Sequence, residues 1–248
     1  MIASETPHQT GEMTTRQVSA RYNRIFGVTL SAVTVIALLV AFFSADVGQS
    51  GSHALPASWT RVYNADLTAT THGAWDETQG CSLSGSGLDA VAGDSTDAQC
   101  AFKPSVDGAV TSAGFYFVTE LAPAADVSAF ARSVLSIGDI TNSSGSGAST
   151  VRFIIAQDGA YTLCDGVCSS TGGNLYLHGG LASWHGDALL SNTLAVKVSP
   201  DHSTLTIYVN DQPVATVAPQ LGPQPAIAVG AATGSEAIFT HAALYTGN

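Results

Sequence analysis

Charge is scarce in this chain. Lys, Arg, Asp and Glu make up 11% of its 248 residues, with 8 cations set against 19 anions. From Asp46 onward, fourteen Asp and three Glu oppose only Arg61, Lys103, Arg132, Arg152 and Lys197, a balance of 5 − 17 = −12. Such a surface repels phosphate backbones and anionic headgroups, which excludes nucleic acid as a partner and argues against peripheral membrane binding. The same acidity also serves solubility. Glutamate is rarer still: past the apolar run described below only Glu77, Glu120 and Glu236 occur, far apart. Serine nucleophiles lack their setting, because the Gly85-Ser86-Gly87 and Gly145-Ser146-Gly147 tracts have no flanking strand and helix and read as loops. Helical periodicity is scarce beyond residue 57. Cysteine is missing from the first eighty residues.

What is present first is a run of uncharged residues from 25 to 45, IFGVTLSAVTVIALLVAFFSA. As a helix it would be about 31 Å long, matching a hydrocarbon layer of roughly 30 Å. Arg16, Arg21 and Arg24 precede it and Asp46 follows, so the reading is a single-pass anchor with a cytoplasmic N-terminus and an extracellular C-terminal part. A cleaved signal peptide is the rival. Against it stand the long leading segment, the length of the apolar run and Phe43 at the −3 position of a cut after Ala45. The expected organisation is a disordered cytoplasmic tail (1–24), the transmembrane helix (25–45), a flexible stalk (46–57) and one extracellular domain (58–248).

All four cysteines, Cys81, Cys100, Cys164 and Cys168, fall on the translocated side, where disulfides persist. Of three arithmetical pairings, Cys81 with Cys100 and Cys164 with Cys168 are favoured, since each pair brackets a loop rich in Gly, Ser and Asp. A redox motif prefers two intervening residues, and a zinc site needs further ligands nearby, so these are read as structural staples.

Short β-branched and aromatic runs between turn residues predict an all-β, antiparallel sandwich. Strands are expected over 60–64, 114–121, 134–137, 151–156, 160–164, 174–178, 194–198, 204–209, 213–217, 226–231 and 237–245. The clearest signal runs from Leu194 to Val217. Leu194, Val196 and Val198 alternate with Ala195 and Lys197, Ser199-Pro200-Asp201 turns the chain, and Leu205, Ile207 and Val209 alternate with Thr206 and Tyr208 before Asn210-Asp211 turns it again. One face of this meander packs inward, while Lys197, Thr206 and Tyr208 look outward or line a groove.

In its order of motifs the chain resembles the concanavalin A-like lectin/glucanase superfamily, the jelly rolls that include laminin G-like modules. The residues that carry the likeness are Gly159-Ala160-Tyr161-Thr162-Leu163, Asn192-Thr193-Leu194-Ala195-Val196, Leu205-Thr206-Ile207-Tyr208-Val209-Asn210-Asp211, Val214-Ala215 and a closing strand with Phe239 and Tyr245. Asp211 stands where that superfamily usually has Gly, and Asp201-His202-Ser203 replaces a Gly-bearing turn. The resemblance implies a jelly roll from about Trp59 to Asn248, of the kind displayed as sugar-binding or sensory modules by bacterial membrane-anchored proteins, and it specifies fold far better than function. Glucanases of this fold place two Glu and an Asp at alternate positions of one strand, and no such pattern occurs here. An enzyme would have to use Glu120 with Asp139 or Asp158 from another strand.

The leading expectation is therefore a glycan-binding or cell-wall-binding module without catalytic residues, with a protein-interaction display domain as the alternative. Trp184, His185 and Asp187 in one loop, with Tyr176 and Trp75, are the candidate ligand contacts, because indoles stack on sugar faces while neighbouring carboxylates accept hydroxyl hydrogen bonds. Core packing competes for at least two of Trp59, Trp75 and Trp184. No cofactor is expected. Calcium is the cation that Asp165, Asp187, Asp201 and Asp211 could hold from loops, although Asp suits turns for backbone reasons alone. His178 and His185 have no third partner at zinc-ligand spacing.

Overall fold

The computed structural model describes residues 58–69, 73–77, 80–103, 113–123, 131–139, 150–169, 172–186 and 189–247, without the side chains of residues 167, 169 and 172–174. The expected tail, membrane helix and stalk lie outside the described residues. Among the described residues no helix is long and apolar enough to cross a membrane.

The described residues form antiparallel strands in two sheets. In chain order these are β1 (Trp59–Asp66), β2 (Cys81–Ser84), β3 (Gly87–Val91), β4 (Ala98–Ala101), β5 (Phe115–Leu121), β6 (Arg132–Gly138), β7 (Thr150–Ala156), β8 (Ala160–Ser169), β9 (Gly172–Gly180), β10 (Asn192–Val198), β11 (Leu205–Val209), β12 (Gln212–Val217), β13 (Ala226–Ala231) and β14 (Glu236–Gly247). The eight-stranded sheet runs β12-β11-β10-β5-β14-β3-β2, with β1 paired to the C-terminal part of β14, and the six-stranded sheet runs β4-β13-β6-β7-β8-β9. Every expected strand is present. The three that sequence reading missed, β2, β3 and β4, are four or five residues long and built largely of Gly, Ser, Ala and Cys, so they carry little β-branched or aromatic signal. Of the Gly85-Ser86-Gly87 tract, read as a loop, Gly85-Ser86 is the tight turn between β2 and β3 and Gly87 opens β3 opposite Ser84.

Alternation decides what is inside. Phe115 and Phe117 of β5, Leu194, Val196 and Val198 of β10, and Leu205, Ile207 and Val209 of β11 are almost wholly buried and share one core with Leu135, Ile137, Phe153, Ile155 and Leu163 of the other sheet. The meander has the predicted strands and turns, and its register sets Leu194 opposite Val209 and Val198 opposite Leu205. Its second turn uses Asn210 at φ 48° and Asp211 at φ 64°, the two positive values that a two-residue hairpin turn matching strand twist requires.

Both expected disulfides are formed, with Cα–Cα separations of 5.6 Å for Cys81–Cys100 and 5.5 Å for Cys164–Cys168. The first ties β2 to β4, and the second closes a bulge in β8, where the pairing with β9 shifts between Asp165 and Ser169. Close backbone approach makes Gly230 obligatory on β13, since a Cβ there would run into the carbonyl oxygen of Ala98.

Candidate functional site

Strand register, more than any loop, assembles aromatic side chains on this domain. On the face of the eight-stranded sheet that points away from the core, Tyr116 of β5 lies opposite Lys197 of β10 on one side and Tyr245 of β14 on the other. Tyr208 of β11 lies opposite Ala195 of β10. The small Ala195 side chain leaves a gap in which the Tyr116 and Tyr208 rings meet edge to face, with centroids 6.1 Å apart, and Tyr245 meets Tyr116 at the same distance from the other side. Such tilted contacts are the favoured geometry for aromatic pairs. Tyr116 is thereby 1% exposed on an otherwise solvent-facing surface, and Tyr208 and Tyr245 flank it half-buried. Burial, followed by the nearby Asp211, Tyr208 and Tyr245, pushes the Tyr116 phenol well above its ordinary pKa, so it stays protonated.

The border of this floor is polar. Lys197 Nζ sits 5.6 Å from the ring centroid of Trp59, a cation held over an indole. Two rows further along the same face from Lys197 and Tyr116, Thr193, Glu120, His241 and Asp66 follow one another on β10, β5, β14 and β1. His241 Nε2 is 3.0 Å from Asn64 Oδ1. Asp66 Oδ1 accepts hydrogen bonds from the Thr68 hydroxyl and backbone N–H, which hold its carboxyl below the usual range.

The loop predicted to carry ligand contacts is fastened to the ends of β10 and β11. Asn192, 4% exposed, accepts from the His185 backbone N–H at 2.8 Å and donates to the His185 carbonyl at 2.9 Å. Asn210 Nδ2 donates to the Asn192 side chain and to the Ser183 carbonyl. The Trp184 indole N–H donates to the Gln157 carbonyl at 2.8 Å, and its ring packs on Gly159, whose φ of 79° and absent Cβ make the contact fit. Trp184 is half-buried and His185 exposed, with His185 Nδ1 3.0 Å from the Ser191 carbonyl. Asp187 lies outside the described residues.

Other candidates are dispersed. Trp75 is a core residue rather than a ligand contact: it is 4% exposed, its indole N–H donates to the Tyr63 hydroxyl at 3.1 Å, and its ring packs on Phe102 and Phe117. Its aromatic character served core packing. Tyr176 is on β9 of the six-stranded sheet, half-buried against the core, and shares no strand pairing with the tyrosine floor. Glu120 is on the eight-stranded sheet, whereas Asp139 follows β6 and Asp158 caps the β7–β8 turn by accepting from the Ala160 N–H, so register gives Glu120 neither partner. Asp201 likewise serves a turn. It accepts from Ser199 Oγ, Ser203 Oγ and the Ser203 N–H, and these bonds bring its carboxyl down to about 2. Among the described residues no three His, Cys, Asp or Glu side chains are grouped so as to hold a metal ion.

Sequence reading placed Tyr208 on an outward face but missed its association with Tyr116 and Tyr245. The alternation signalled orientation within each strand, and nothing local signalled which strands are neighbours.

No protein-family model matches the chain, nor does any curated protein. Solved structures similar to it include the carbohydrate-binding module CBM66 from Bacillus subtilis, at 11% identity and TM-score 0.44 over 74% of this chain and 92% of that one. A β-glucanase from Bacillus licheniformis is similar at 10% identity and TM-score 0.48, over 75% and 98% of the two chains. The apo Crh5 transglycosylase is similar at 12% identity and TM-score 0.49, over 77% and 85%. Likeness at this level leaves function to the chain's own side chains.

Proposed function

We propose that residues 58–248 are a glycan-binding module of the concanavalin A-like jelly-roll type, held outside the cell by an apolar anchor at residues 25–45. The observation that carries this reading is the floor of Tyr208, Tyr116 and Tyr245, with Lys197 over Trp59 and polar groups on its border. Tyr208 and Tyr245, braced on the buried Tyr116 ring, lose little entropy on contact with a ligand, and a sugar presents apolar C–H faces to rings and hydroxyls to the surrounding polar groups. The acidic balance of the chain disfavours anionic saccharides, so the ligand class is a neutral oligosaccharide.

The test uses the full-length chain in detergent micelles on an array of neutral and acidic oligosaccharides. Retention of neutral ones is expected, with Tyr208→Ala weakening it by about tenfold, equivalent to roughly 1.4 kcal/mol. Glu120→Gln, which keeps a hydrogen-bonding side chain on the border, is expected to weaken retention less than Tyr208→Ala does. Two results would replace this reading: cleavage of a bound oligosaccharide that Glu120→Gln abolishes, which is enzymatic, or retention of a protein partner by the Tyr208→Ala variant with no glycan bound, which makes the domain a display module.

A further inference from the structure

At the end of the sandwich where Trp184 sits, a cleft of about 30 Å³ opens between the two sheets. Ala122, Ala131 and Ala237 line it together with Ile155, and larger side chains at the three alanine positions would close it. A water needs roughly 10–15 Å³ of such space and two to four polar partners. The cleft thus has room for a group of a few heavy atoms and none for a sugar ring.

Part of its polar lining is engaged by bonds already described. The Asn192 side chain is engaged by His185 and Asn210, and the Trp184 indole N–H by the Gln157 carbonyl. Ser133 is different. It lines the cleft at 7% exposure, so its hydroxyl can meet a group that enters. Most of the wall is apolar, from Leu121, Ile155, Ile238 and the three alanines, with the Ser133 hydroxyl beside them. Such a wall suits a methyl group joined to a single hydrogen-bond acceptor, which removes apolar surface from water and accepts from the Ser133 hydroxyl.

We propose that this cleft is a subsite for an acetyl-sized acyl substituent, such as the acetamido group of an amino sugar, with its methyl among the alanines and its carbonyl oxygen accepting from Ser133. The inference rests on the glycan-binding reading for its ligand and adds a substituent that the tyrosine floor does not select.

The experiment compares β-1,4-linked oligomers of N-acetylglucosamine and of glucose, matched in length and both neutral, on the full-length chain in detergent micelles. The acetylated oligomer is expected to bind about tenfold more tightly. Ser133→Ala should remove most of that preference and leave affinity for the glucose oligomer unchanged, while Tyr208→Ala weakens both. Ala122→Val, which fills the cleft from outside the strands, should act as Ser133→Ala does and covers the case in which that variant fails to fold. N-methylacetamide alone should move the Trp184 indole N–H resonance saturably in the wild type and not in Ala122→Val. Equal affinity for the two oligomers, or an indole resonance that N-methylacetamide leaves in place, overturns the subsite. If neither oligomer binds, the glycan reading fails by itself and the N-methylacetamide titration decides the subsite.

Discussion

Arg152 and Asp97, 55 positions apart in the chain, are joined by an ion pair whose side chains are only 8% and 19% exposed. The second oxygen of Asp97 accepts from both the backbone N–H and the hydroxyl of Thr233, at 2.7 Å each. Burial alone would raise the Asp97 carboxyl, but Arg152 and Thr233 outweigh it and hold the group below its ordinary pKa. Removing the carboxylate strands a buried guanidinium whose Nε already lacks a partner. Asp97→Asn should therefore cost about 3 kcal/mol at neutral pH in denaturant unfolding. The sign with pH follows from the depressed value: the contribution is complete above the unfolded-state pKa of about 3.9 and is lost as pH falls through the folded-state value. The wild type should lose stability in that acid range more steeply than Asp97→Asn does.

Asp165 behaves in the opposite sense. Burial pushes its carboxyl up, the Thr150 backbone bond offsets only part of this, and one carboxylate oxygen has no hydrogen-bond partner. A carboxyl raised in the folded state weakens folding as pH rises through the interval between the unfolded and folded values. Asp165→Asn should raise the melting temperature at pH 7, with the gain disappearing below about pH 4, the unfolded-state value. A variant that melts lower than wild type at pH 7 would show that the ionised carboxylate is needed.

Asn192 positions the Trp184 loop through its bonds to both backbone groups of His185. Asn192→Ala leaves that N–H and carbonyl without their partners and should destabilise by about 2 kcal/mol. Trp184 fluorescence should shift to the red in the folded variant as the loop loosens. An unshifted spectrum together with unchanged stability would mean that the loop is held by other contacts.

The two disulfides should differ in worth. Replacing Cys81 and Cys100 by alanine opens a closure of sequence separation 19 and should cost about 3 kcal/mol in the chain-entropy model, whereas the separation of 4 between Cys164 and Cys168 should yield clearly less. Denaturant unfolding of the two double variants measures the difference, and equal losses would contradict an entropic origin.

The meander illustrates what was legible. Leu194 to Val217 alternate so regularly that strands, turns and inward face could all be read, and Asn210-Asp211 announced its turn because these residues tolerate positive φ. Trp75 illustrates the limit. An aromatic beside Asp76 and Glu77 suggests a sugar contact, yet its bridge to Phe102 and its bond to Tyr63 place it in the core, through partners 27 and 12 positions away.

Sequence by itself determined the β character of this domain and the inward faces of its strands and favoured the cysteine pairing that the structure shows, because apolar period and turn chemistry act between near neighbours along the chain. Only the tertiary structure decided that β5 lies between β10 and β14, and with it the meeting of Tyr116, Tyr208 and Tyr245, the cleft beside Trp184 and the reach of Arg152 to Asp97. Those contacts depend on which distant strands share a hydrogen-bonded ladder and in what register, and a period of two residues is identical for every partner a strand could take.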